Sequence, residues 1–100
     1  MIVSFLEMQR TLARKLKFVP SERKPHEWYE LSCKDGTVIL TTHLSRKASG
    51  RDIYQNIFSK IARQVGLSNR QLADAVKCDL NLDGYYKILK QKGLATCELA

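Results

Sequence analysis

Cysteine is scarce: Cys33, Cys78 and Cys97 are widely spaced and odd in number. Such a set gives no disulfide framework, and no Cys or His pair stands at zinc-finger spacing. Reduced thiols and no metal are therefore expected. No uncharged stretch approaches the roughly 20 residues that a membrane-spanning helix needs, so no membrane partner is expected. The apolar start, Met1 to Phe5, is followed by Glu7 and Arg10, which interrupt any signal-peptide core. The cytoplasm is then the expected compartment. A Gly-rich phosphate loop, a nucleophile elbow and a close Cys–His pair are all lacking, which argues against an ordinary metabolic enzyme and its cofactors.

Acidic residues are also few. Ten Asp and Glu face 17 Lys and Arg, giving a formal charge of +7 over 100 residues. Charge of that density repels itself, and a polyanion would relieve it. Nucleic acid is the partner this suggests, ahead of an acidic protein surface.

What is present reads as one α+β domain. Phe5, Met8, Leu12 and Leu16 recur at helical spacing, predicting a helix over 4–17 that ends before Pro20. Residues 21–25 read as a loop or short strand. From Glu27 to Cys33 the chain alternates, with Tyr29, Leu31 and Cys33 on one side and Trp28, Glu30 and Ser32 on the other. Asp35-Gly36 then predicts a two-residue hairpin turn into a β-branched strand over 37–42. Residues 43–51 read as a basic loop. Asp52 is expected to cap a second helix whose inner face carries Ile53, Ile57, Ile61 and Val65, ended by Gly66. Ser68 and Gln71 predict a capping box for a short third helix, and 83–92 a fourth, stopped by Gly93. Helices on one face of a small antiparallel sheet of two or three strands give the order α-β-β-β-α. The C-terminal helical annex, 78–100, is expected to pack on the domain formed by 1–77.

That order, with Phe18-Val19, a basic loop, a histidine before Trp28-Tyr29, the Asp35-Gly36 turn, His43, a second basic loop and the run Ile61 to Ser68, resembles the HicA-type toxins of toxin–antitoxin systems. The resemblance spans about Phe5 to Leu72. It implies a double-stranded-RNA-binding-like fold, cleavage of mRNA, and an antitoxin protein as partner. It also implies that His26 holds the family's active-histidine position. The Gly-Ser pair that precedes this histidine in the family is Lys24-Pro25 here, and Pro25 removes an N–H that would otherwise be available to a phosphate.

The chemistry of these residues is consistent with that implication. Cleavage without a metal needs a base for the 2′-hydroxyl, which a histidine suits, and cations for the phosphorane. His26 is the candidate base. Arg23, Lys24, Arg46, Lys47 and Arg51 are the candidate phosphate-binding cations. Trp28 is a candidate stacking surface for an unpaired base, and His43 a further contact. A second reading uses 61–75 as a helix-turn-helix, with Asn69, Arg70 and Gln71 reading DNA base edges. The basic density on the first helix and on 46–51 favours RNA over DNA. A third reading is a non-catalytic RNA-binding or interaction module.

Overall fold

The computed structural model describes residues 3–23, 26–45 and 52–95, with the backbone alone described for residues 22, 23, 26, 27 and 45. Among the described residues the fold is α+β: a three-stranded antiparallel sheet and four α-helices, with a second, two-stranded sheet that joins residues 3–4 to 52–53.

Strand β1 (Val3–Ser4) leads directly into helix α1 (Phe5–Arg10). Ser4 caps it: its hydroxyl accepts from the Glu7 N–H at 3.1 Å, and the Glu7 carboxylate reaches back. The expected stripe is the buried one, with Phe5, Met8, Leu12 and Leu16 all in the core. The helix departs from expectation at its end. Thr11, fully buried, donates its hydroxyl to the Glu7 carbonyl at 2.8 Å. From there the chain widens into a π-helical turn over Thr11–Lys15, closed by the Leu16 N–H on the Thr11 carbonyl at 2.9 Å. Lys17 then takes a left-handed conformation (φ 60°) and turns the chain out.

Of the loop or short strand expected over 21–25 the structure has the strand, β2 (Val19–Arg23), which begins earlier and contains Pro20. Proline is tolerated there because β2 is an edge strand. Strand β3 (His26–Ser32) pairs with β2 on one side and with β4 (Val38–Ser45) on the other. The β3–β4 hairpin is present, but its turn has three residues, Lys34 to Gly36. The Cys33 N–H donates to the Thr37 carbonyl at 2.8 Å, and Gly36 alone has positive φ (92°). The Asp35 carboxylate accepts from the Thr37 N–H at 2.9 Å, which holds it below the usual carboxylate range.

Asp52 does not cap a helix. Asp52–Ile53 forms strand β5, paired with β1 through Val3↔Ile53. Helix α2 (Gln55–Gln64) therefore starts later than expected, with Tyr54 as an N-cap that makes no side-chain bond. Its buried face is Phe58, Ile61 and Ala62, while Ile57, expected inside, is 41% exposed. Gly66 (φ 80°) ends the helix, and Ser68 and Gln71 form the expected capping box of α3 (Asn69–Val76). Helix α4 (Leu82–Gln91) starts from Asn81, whose side chain accepts from the Gly84 N–H at 2.8 Å. Tyr85 and Leu89 carry α4 into the same core as Leu12, Phe58 and Leu72.

Cys33 is disulfide-bonded, which corrects the expectation of a reduced thiol, and Cys78 is free and exposed. The cysteines therefore no longer argue for a reducing compartment. Among the described residues, no helix is long and apolar enough to cross a membrane.

Candidate nucleic-acid interface

The pleat of β3 sorts its side chains. Tyr29 and Leu31 are buried on one face, together with Leu44 and Thr42 of β4, beneath the helices. The alternate positions form rows across the opposite face. Arg23, His26 and Ser45 are register partners in one row. Ser21, Trp28 and His43 make the next, and Val19, Glu30 and Thr41 the third. None of the described side chains in these rows is buried, and Val19 is 65% exposed. The expected separation of Trp28 from the Tyr29/Leu31 face therefore holds.

His43 is not a loop-entry residue. It lies within β4, directly opposite Trp28, and the two rings lie 4.7 Å apart at 38°. An indole and an imidazole thus sit side by side in the middle row. The end row places His26 between Arg23 and Ser45 along the backbone, so Lys24 and Arg46 follow in sequence from the two residues that flank it. Lys24, Arg46, Lys47 and Arg51 themselves lie outside the described residues, as do the side chains of Arg23 and His26.

Two other cations have structural work. Lys15 donates its ammonium to the Val76 carbonyl at the end of α3. Lys92 donates to the Gly66 carbonyl beyond α2 at 2.8 Å. Each stabilises the negative end of a helix. The helix-turn-helix candidates are also engaged. The Gln71 side chain accepts from the Ser68 N–H at 2.9 Å, and Asn69 donates to the Ser59 hydroxyl at 2.9 Å. Arg70 is exposed, while Asp74 lies half-buried on the same short helix.

Sequence reasoning missed one feature of this region. A cleft of about 360 Å³ opens between the β4 edge and α2, lined by His43, Ile57, Lys60, Ile61 and Gln64. The four helix residues share one face by their spacing, and two of them, Ile57 and Ile61, are expected from the sequence to face the core. Among the described residues, no group of three or more His, Cys, Asp or Glu side chains converges as metal ligands. No protein-family model matches the chain, and neither a curated protein nor a solved structure is significantly similar to it.

Proposed function

We propose that this chain is an RNA-binding domain that lays a single-stranded segment across the face of its three-stranded sheet that carries Trp28 and His43. The observation that carries the reading is the Trp28–His43 ring pair in the middle of that face. Unpaired bases stack on such platforms, and every base offers a π-face. The cationic stretches around Arg23 and after Ser45 adjoin one end of the platform by chain connectivity, where phosphates would lie. RNA is favoured over duplex DNA because two of the three base-reading candidates on α3 are bonded within the chain. The cytoplasm is the compartment proposed for this work.

A second reading goes further, to the endoribonuclease activity and antitoxin partner that the HicA-type resemblance implies. It is favoured by the register that sets His26 between Arg23 and Ser45. His26 would take the 2′-hydroxyl proton while Arg23, Lys24, Arg46, Lys47 and Arg51 neutralise the phosphorane.

Fluorescence anisotropy with a labelled single-stranded RNA octamer, repeated over a salt series, tests binding. Affinity should fall linearly on a log–log plot, by roughly 0.7 in slope for each phosphate neutralised. Binding that is undetectable at low salt, or tighter to duplex DNA, ends the RNA reading. Incubating the same RNA with wild type and His26→Ala tests cleavage: the variant should keep affinity and lose cutting. A wild-type chain that binds without cutting is the non-catalytic module.

A further inference from the structure

The cleft between β4 and α2 has a chemical character of its own. Its floor is apolar: Ile61 is buried and Ile57 is 41% exposed at the rim. His43, whose ring packs against Trp28, is part of its wall, so the cleft continues from the proposed platform. Two hydrogen-bonding side chains from one face of α2 complete the lining, the exposed Lys60 and the half-buried Gln64.

The orientation of the Gln64 amide is fixed from inside. Thr42 is fully buried, and its hydroxyl donates to Gln64 Oε1 at 2.7 Å. The amide oxygen is thereby held toward the core, and the Nε2 end is left to meet a ligand. Glutamine ordinarily reads adenine with both ends, accepting from N6 and donating to N7. With one lone pair of the oxygen engaged by Thr42, the end of Gln64 left toward the cleft is its donor Nε2, and Lys60 beside it offers only donors.

We infer that this cleft takes one nucleobase of the bound RNA and selects keto bases, uracil or guanine, over amino bases. Uracil O4 and guanine O6 present acceptors to two donors. Cytosine N4 and adenine N6 present donors at the corresponding positions, leaving Gln64 Nε2 and Lys60 facing N–H groups in a partly desolvated site. The inference rests on the RNA-binding reading and specifies what its platform prefers.

Uracil and cytosine differ at this one edge, so the probe is a pair of labelled octamers, U8 and C8, measured by anisotropy with the full chain. U8 should bind roughly five- to tenfold more tightly than C8. The decisive variant is Gln64→Glu. Its carboxylate still accepts from Thr42 but turns an acceptor into the cleft, so the order should reverse in favour of C8. Circular dichroism and a thermal melt establish that the variant is folded. Equal wild-type affinities for U8 and C8 with a steep salt dependence would overturn the base selection and leave RNA binding standing. An unchanged preference for U8 in folded Gln64→Glu would also overturn it. Failure of both octamers to bind at low salt overturns both readings together.

Discussion

Trp28 and His43 are register partners whose rings lie 4.7 Å apart on the sheet face opposite Tyr29, Leu31 and Leu44. The pair does not belong to the apolar core, which lies on the other side of the same strands and includes Tyr29, Leu31 and Leu44. Trp28→Ala should therefore change RNA affinity far more than stability. The expected loss is about 1–3 kcal/mol per stacked base, roughly five- to 150-fold in Kd. Trp28→Phe, which keeps a π-face, should recover part of it. Anisotropy with the RNA octamer and a urea titration of each variant separate the two effects. An unaltered affinity in Trp28→Ala removes the platform from the account.

Two cysteines should differ in their access to reagent. Cys78 is exposed and free, whereas Cys33 is buried and disulfide-bonded. Iodoacetamide applied to the native, non-reduced chain should label Cys78 and spare Cys33. Labelling of Cys33 should appear only after unfolding with reductant. Peptide mapping by mass spectrometry reads both, and Cys33 modified in an unfolded but unreduced sample contradicts the bond. Trapping thiols in intact cells with the same reagent then tests whether the working compartment permits the disulfide.

Gly66 and Gly36 both have positive φ, but for different surroundings. A Cβ at Gly36 would meet open space, so Gly36→Ala should cost only the left-handed penalty, about 1 kcal/mol. At Gly66 the same atom would lie 2.7 Å from a Leu94 methyl and 2.9 Å from one of Leu89. Leu94 is at the surface and yields readily, whereas Leu89 is fully buried. Gly66→Ala should then cost about 2 kcal/mol or more, adding overpacking to strain. For a domain of this size, each kcal/mol lowers Tm by roughly 4–8 °C. Equal shifts in the two variants would show that the α2–α4 contact carries no load.

The elements that were legible in the sequence are those fixed by local chemistry. Phe5, Met8, Leu12 and Leu16 can share a face only in a helix, and Ser68 with Gln71 satisfies donors that any helix start leaves open. The misread elements were settled by distant partners. Asp52 is a good cap and Ile53 sits at helical spacing from Ile57, yet Ile53 pairs with Val3, which no local pattern reveals. The turn was misjudged because Asp35 holds the Thr37 N–H with its carboxylate and so needs no positive φ of its own. At the site, the alternation placed Trp28 correctly on the face away from Tyr29. The basic run after His43 reads as a loop and draws His43 into it, whereas the residue lies within β4. Its pairing with Trp28 depends on the length of β4, and the Thr42–Gln64 bond on the packing of α2 against that strand.

Tyr85 ties α4 to α2 through one bond. Its ring is fully buried, and its hydroxyl donates to the Val65 carbonyl at 2.8 Å. Tyr85→Phe leaves that carbonyl unsatisfied in the core and should cost about 1–3 kcal/mol near neutral pH. The phenol also makes stability depend on pH. Burial, and secondarily the neighbouring Tyr86, push its pKa far above the ordinary phenolic value. In the unfolded chain the group ionises near the usual value of about 10. Its contribution is complete below that pH and is lost as pH rises toward the folded value, because the unfolded state releases a proton that the folded state retains. The loss approaches about 1.4 kcal/mol per pH unit for one group. Tyr85→Phe lacks this dependence, so the stability gap between wild type and variant should narrow steadily above pH 10. Urea titrations of both chains at pH 8, 10 and 11 measure the gap. A gap that stays constant over that range would mean that Tyr85 ionises as easily folded as unfolded, which a buried phenol donating to a backbone carbonyl does not do.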